Sequence, residues 1–102
     1  MIDVNTFEKT VSESPVPFVV LFWGGGCGPC ERFKPIFTQE TKELEGFKFV
    51  QLKVNDNYKL AGHYGVKSVP SLVKVNTDKS YTLFVGPKDK EDLYKFIGKE
   101  DV

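Results

Sequence analysis

Residues 18–30, FVVLFWGGGCGPC, join an apolar run to three glycines and two cysteines. The apolar part, Phe18–Trp23, shows no alternation with polar residues, which is the pattern of a central strand covered on both faces. Apolar residues recur at helical spacing directly after the second cysteine. The chain's only two cysteines, Cys27 and Cys30, are therefore predicted to lie between a buried strand and the first turn of a helix.

Four helices are predicted from capping residues and from apolar residues at helical spacing. Asn5 and Glu8 resemble a capping box at the start of the first helix. The second helix follows the cysteines, and we expect it to end at Gly46. A brief third helix covers residues 55–64, and Asp89 is expected to cap the last helix.

The strand pattern predicts an α/β fold built on a mixed sheet with helices on both faces. Residues 47–54 form a second strand, parallel to the first because a helix connects the two. Residues 71–76 and 80–85 alternate in polarity and are joined by a short turn, so they form a hairpin. The element order is αβαβαββα. The sheet has four strands, with residues 47–54 at an edge, or five if the N-terminal residues add a short strand.

Length and composition restrict the class of protein. With 102 residues, 40% of them apolar, we expect one domain, residues 1–102, with its own core. Fourteen basic residues balance fourteen acidic ones, which argues against binding to nucleic acid or to a membrane. The polar N-terminus is unlike a secretory signal, and no apolar run is long enough to span a bilayer. These features predict a monomer in the reducing cytoplasm.

The spacing of Cys27 and Cys30 is compatible with a metal site, a structural disulfide or a reactive dithiol. A structural zinc site needs four ligands, and a single histidine, His63, accompanies the one cysteine pair, so no metal is expected. A disulfide that closes so short a loop would stabilise the fold very little. Reactivity is favoured because N–H groups at a helix N-terminus stabilise a thiolate at Cys27, whereas Cys30, one turn later, is shielded.

Several motifs accompany the CGPC sequence along the chain. They are Phe22-Trp23, Cys27-Gly28-Pro29-Cys30, Pro35, Tyr64-Gly65-Val66, Val69-Pro70-Ser71 and Gly86. In this combination, and over nearly its whole length, the sequence resembles the thioredoxin family. The resemblance implies the thioredoxin fold, with the N-terminal strand of the family short or missing here.

The resemblance also implies a function, that of a protein-disulfide reductase. Cys27 would attack a substrate disulfide and Cys30 would resolve the mixed disulfide. The implied supporting residues are Trp23, Gly28, Pro29 and a cis Pro70, and the implied substrate-groove residues are Gly26, Val69 and Gly86. No cofactor would be bound. Electrons would come from NADPH through thioredoxin reductase, which joins disulfide-containing protein substrates as an expected partner.

The sequence departs from the family at several positions near the motif. Leu21 and Gln51 stand where the family carries a buried aspartate and its lysine partner, which are thought to help deprotonate the resolving cysteine. Losing both together is tolerable, because only an unpartnered buried charge is strongly destabilising. Glu31 replaces a residue that is usually basic. Arg32 and Lys53 are interpreted as surface charges without a role.

The glycine run leaves the interpretation of the site open. Gly24, Gly25 and Gly26 stand where the family usually has larger side chains. They could form a flexible connection or widen the substrate groove. Two other functions also remain as alternatives: a glutaredoxin-like reductant that uses glutathione, and a thioredoxin-fold binding module in a larger assembly. The CGPC motif argues against the first, and CGPC together with Pro70 argues against the second.

Overall fold

The sheet of this protein is built around a central strand that is covered on both faces. The computed structural model describes residues 1–98. Strand β1, Phe18–Trp23, pairs in parallel with β2, Lys48–Lys53, and antiparallel with β3, Ser71–Val75. Strand β4, Tyr81–Val85, pairs antiparallel with β3, so the order across the sheet is β2-β1-β3-β4. The mixed sheet and the edge position of β2 are confirmed, and within the described residues no fifth strand joins the sheet.

Four helices lie in pairs on the two faces of the sheet. Helices α1, Val4–Ser12, and α3, Tyr58–His63, contribute side chains to one core. Helices α2, Gly28–Thr41, and α4, Lys90–Ile97, contribute to the other. A single 3₁₀ turn, Val54–Asp56, connects β2 to α3. The predicted order αβαβαββα is therefore confirmed.

The side chains of β1 alternate between these two cores. Phe18, Val20 and Phe22 pack against α1 and α3, while Val19 and Leu21 pack against α2 and α4. Complete burial of one such side chain contributes roughly 1.5–3 kcal/mol. Because both faces of β1 are covered in this way, its position between the helix layers is strongly determined.

The start of α1 differs from the prediction. Asp3, rather than Asn5, is the N-cap, and its carboxylate accepts hydrogen bonds from the N–H groups of Asn5 at 2.7 Å and Thr6 at 3.4 Å. The helix consequently begins at Val4. A carboxylate in this place satisfies two otherwise unpaired N–H groups and also interacts favourably with the helix dipole, which explains why it prevails. At α4 the predicted cap is confirmed, since Asp89 accepts the N–H of Asp92 at 3.0 Å.

The end of α2 was also predicted wrongly. The helix contains Pro35 as expected but ends at Thr41, well before Gly46. Beyond this point the chain leaves the helical path while Leu44 still packs against the core shared with α2 and α4. Gly46 adopts a φ of +91°, a conformation that favours glycine, just before the chain enters β2. Leu44, which has helical spacing from the apolar residues of α2, is therefore brought to the core by a turn and not by the helix.

Tyr64 is a buried residue whose hydroxyl has no hydrogen-bond partner among the described residues. Its ring packs edge-on against Phe7 and Tyr81. Burial raises the pKa of Tyr64 from 10.0 to about 12, and the neighbouring Glu8 carboxylate and Tyr81 act in the same direction. The folded protein therefore holds this proton more tightly than the unfolded chain does, so the resulting stability is present below pH 10.0 and is lost as pH rises through about 12.

We expect Tyr64→Phe to lose less stability than the parent protein between pH 10.0 and about 12, because the variant has no hydroxyl to ionise there. At neutral pH the loss of an unpartnered hydroxyl should change stability little. Urea unfolding of the oxidised proteins at both ends of this pH range measures the effect. Tyr58→Phe is the control, since Tyr58 is 59% exposed and Tyr64 only 1%. If Tyr64→Phe and the parent lost the same amount of stability over this pH range, the loss could not be attributed to ionisation of Tyr64.

Candidate active site

The two cysteines form a disulfide at the N-terminus of α2. Cys27 is the N-cap residue of this helix, and its Sγ accepts the N–H of Cys30 at 3.1 Å. Cys27 is half-buried, whereas Cys30 is completely buried. After reduction, the Cys30 N–H and the helix dipole would both stabilise negative charge on the Cys27 sulfur. The geometry thus offers one accessible sulfur and one that the protein shields.

The loop before β3 lies directly against this disulfide. The Val69–Pro70 peptide bond is cis, and the carbonyl oxygen of Val69 lies 3.7 Å from the Sγ of Cys27. The N–H of Gly86 donates to the carbonyl of Pro70 at 2.9 Å, which ties the end of β4 to the same loop. Segments that are distant in the sequence therefore meet at the accessible sulfur.

A groove of about 400 Å³ lies beside the cysteine pair. Its lining residues are Pro29, Arg32, Val69, Pro70, Gly86, Pro87 and Lys88. Four of the residues that the resemblance implied, Pro29, Val69, Pro70 and Gly86, are brought together in this lining. Trp23, Gly26 and Gly28 are outside it.

Two cations in the groove lining were not assigned a role from the sequence. The sequence predicts Arg32 to be a surface charge without a role, and it gives no prediction for Lys88, yet both side chains line the groove. Arg32 lies three residues after Pro29 on α2, a spacing that places two side chains on the same helix face. Lys88 lies two residues after Gly86. These short spacings from motif residues were the only signals in the sequence that could have identified them.

Trp23 lies at the end of β1 with two lysine ammonium groups near its ring. The Nζ of Lys34 is 3.4 Å from the ring centroid, and the Nζ of Lys53 is 5.5 Å from it. Such cation–π contacts contribute roughly 0.5–1 kcal/mol at exposed sites. Lys53, interpreted from the sequence as a surface charge without a role, therefore helps to hold the tryptophan.

The three glycines before Cys27 differ from one another in their surroundings. Gly24 is buried, and a Cβ there would lie 3.2 Å from Cγ2 of Val69, closer than ordinary van der Waals contact. Gly26 has a φ of +70°, which L side chains rarely adopt, although no atom lies within 4 Å of its Cβ position. One glycine thus permits the close approach of the cis-proline loop, and another supplies the turn into Cys27.

Leu21 and Gln51 lie opposite each other in the paired strands β1 and β2. Leu21 is completely buried among the apolar side chains of α2 and α4. The amide of Gln51 donates a hydrogen bond to the hydroxyl of Thr38 on α2 at 2.8 Å. Neutral side chains therefore occupy both positions at which the resemblance implies an aspartate and a lysine.

Residues 1–98 contain no group of three or more His, Cys, Asp or Glu side chains that could hold a metal ion. His63, the single histidine, lies 3.2 Å from a carboxylate oxygen of Glu8. No helix in the same range is long and apolar enough to cross a membrane.

The family profile that matches this chain is that of the thioredoxins, and two similar proteins of known identity are thioredoxins. Residues 1–99 match the family profile described as Thioredoxin. A thioredoxin from Rickettsia felis is 31% identical over 96 residues, covering 93% of this chain and 91% of that protein. A thioredoxin from Haemophilus influenzae is 32% identical over 94 residues, covering 91% of this chain and 88% of that protein.

Solved structures show the same architecture. The crystal structure of a thioredoxin from Nicotiana alata superposes with a TM-score of 0.80 at 22% identity, covering 95% of this chain and 84% of that one. A thioredoxin from Fasciola hepatica also gives a TM-score of 0.80, at 25% identity, covering 94% of this chain and 93% of that one. Because the profile match runs from residue 1 to residue 99 and includes both cysteines of a bonded CGPC pair, this chain belongs to the thioredoxin family.

Proposed function

We propose that this protein reduces disulfide bonds in other proteins by thiol–disulfide exchange. The observation that carries the proposal is the Cys27–Cys30 disulfide at the N-terminus of α2, facing the cis peptide bond between Val69 and Pro70. The family match supports the same activity, that of a thiol–disulfide oxidoreductase.

The reaction begins with the reduced, dithiol form of the protein. The Cys27 thiolate attacks one sulfur of the substrate disulfide, so a new S–S bond forms while the other substrate sulfur leaves and takes up a proton. The Cys30 thiolate then attacks the Cys27 sulfur and displaces the second substrate thiol, which takes up another proton. Two electrons pass from the protein to the substrate, and the protein is left as the disulfide form. No bound cofactor takes part in these steps.

The difference in burial between the two sulfurs supports this order of attack. Cys27 is half-buried and lies next to the groove, so an incoming disulfide can reach it. Cys30 is completely buried, and its sulfur is bonded to that of Cys27. We assign binding of the substrate backbone to the Val69 carbonyl and to the groove around Pro29, Pro70 and Gly86. Trp23 and Gly28 support the loop that holds Cys27, and Gly26 borders the site.

The cellular context of the reaction is also part of the proposal. Reduction of the protein by a thioredoxin reductase that uses NADPH would complete the cycle and place it in electron transport and redox homeostasis. We propose a cytoplasmic monomer with protein disulfides as substrates and no direct binding to nucleic acid or membrane. We also propose one domain over residues 1–102, of which residues 99–102 lie outside the described part.

Insulin reduction driven by NADPH and a bacterial thioredoxin reductase should be catalysed by this protein and not by its Cys27→Ser variant. Precipitation of the insulin chains and oxidation of NADPH measure the activity. Parallel assays with glutathione and glutathione reductase test the glutaredoxin-like alternative. Activity with glutathione alone would favour that alternative. If the protein reduced with dithiothreitol also failed to cleave insulin, the proposed function would be wrong.

The Cys30→Ser variant should accumulate a mixed disulfide between Cys27 and the substrate, because the resolving sulfur is absent. Intact-protein mass spectrometry after addition of a cystine peptide would show the added peptide mass. Cys27→Ser should show little adduct, since Cys30 is completely buried. The opposite pattern would reverse the roles assigned to the two cysteines.

The pair Leu21→Asp/Gln51→Lys tests whether the neutral residues slow the resolving step. We expect the double variant to resolve the mixed disulfide faster, or with a shallower pH dependence, than the parent in stopped-flow assays. Leu21→Asp alone should be destabilised by about 3–5 kcal/mol, because it buries a carboxylate without a partner. Gln51→Lys alone is the control for the surface charge. A folded double variant with the parent's rate and pH profile would rule out this effect.

A further inference from the structure

The two charged side chains that line the substrate groove, Arg32 and Lys88, are both positive. We infer that this protein prefers substrate disulfides that are flanked by acidic residues, with Arg32 and Lys88 as the principal specificity-determining side chains. The inference rests on the proposed function, because it concerns substrate choice in the same groove.

The groove itself combines an apolar wall with two cations. Apart from Arg32 and Lys88, its lining consists of proline, valine and glycine residues, and none of the lining residues in the described chain is acidic. The whole sequence, in contrast, has equal numbers of acidic and basic residues. The positive charge is therefore a local property of the groove and not a consequence of net charge.

Both cations are available to a ligand. Within residues 1–98 neither Arg32 nor Lys88 forms an ion pair, and both side chains are exposed. The carboxylates nearest to these two cations in the sequence do not line the groove. Asp89 accepts the backbone N–H of Asp92 at 3.0 Å at the start of α4, and Asp92 accepts the backbone N–H of Lys88 at 2.9 Å. Glu31 is exposed on α2 and does not line the groove.

A second depression, of about 370 Å³, shares Val69 with the groove. Lys67 is the only charged residue in its described lining, which otherwise consists of apolar, small and neutral polar residues. Val69 contributes to both depressions, and its carbonyl faces Cys27. A substrate chain that passes over Val69 from one depression into the other would therefore meet positive charge in both.

The expected selectivity is moderate, because these charges are exposed to solvent. Exposed charge pairs typically alter an equilibrium by a factor of about 1.5 to 5 each. Complementary charge acts mainly on the rate of association, and salt screens it over about 10 Å at 0.1 M. The preference should therefore appear in kcat/KM or in the second-order rate of attack, and it should decrease as salt is added.

Three peptides provide the test. Each carries one cysteine joined by a disulfide to neutral thiopyridine, and they differ only in the flanking residues, which are Glu, Gln or Lys. The reduced protein is mixed with each peptide in a stopped-flow instrument, and release of pyridinethione reports the attack by Cys27. At low salt we expect the Glu peptide to react roughly 3- to 10-fold faster than the Lys peptide. Added salt should bring the two rates together.

Variants that each remove one positive charge test whether the preference for acidic peptides arises in the groove. Arg32→Gln and Lys88→Gln should each reduce the Glu-to-Lys rate ratio by roughly 1.5- to 5-fold. Lys42→Gln removes the same charge at the opposite end of α2 and should leave the ratio unchanged.

Equal rates for the Glu and Lys peptides at low salt would overturn the inference, as would a ratio that is insensitive to both groove variants. In either case normal reduction of the Gln peptide would leave the proposed function intact. Failure of the parent protein to react with the Gln peptide would instead contradict the proposed function itself.

Discussion

Burial of β1 on both faces is the constraint on which the remainder of this structure depends. The strand has neighbours on both edges and a helix layer on each side, so it cannot shift or rotate without exposing one of two cores. Helix α2 starts only five residues after the last residue of β1, Trp23. The N-terminus of that helix, and the sulfur of Cys27 at its cap, are therefore held at the end of a fixed strand. The Cys27 sulfur keeps a fixed position because the strand that supports it is rigid.

The second half of the site is positioned by backbone contacts as well as by packing of the Val69 side chain. The Val69–Pro70 bond sits at the start of β3, the strand next to β1. Gly86, at the end of β4, donates to the Pro70 carbonyl, and Gly24 leaves room for Val69. Three strand ends thus converge on one sulfur. This arrangement explains how a small sheet can position a reactive sulfur with its own backbone and side chains.

The elements that local sequence patterns specify were predictable, and those that depend on distant neighbours were not. The unbroken apolar run of β1 and the alternating hairpin strands identified the sheet, because burial pattern and turn chemistry agreed there. The cap of α1 was misplaced because Asn5 and Asp3 are both good caps, and only the structure shows which N–H groups are reached. The end of α2 was misplaced because Leu44 keeps the helical period while a turn buries it.

The groove cations illustrate the same distinction within the site. The CGPC motif identifies Cys27 and Cys30 because the motif is local and its chemistry is distinctive. Arg32 lies in α2 and Lys88 in the loop before α4, and only the folding of β3 and β4 between them brings both to one groove. The spacing of each residue from its own motif residue does not indicate that the two line the same groove.

The individual surroundings of the three glycines also limit how this loop can be altered. A side chain at position 24 would require the Val69 side chain to move away, and one at position 26 would adopt a φ of +70°, which L side chains rarely take. Position 25 is different, because its Cβ would meet only the Lys53 side chain, at an ordinary 3.5 Å. An engineer who wishes to attach a spectroscopic label, or to add a recognition side chain next to the reactive sulfur, therefore has a single permissive glycine in this run.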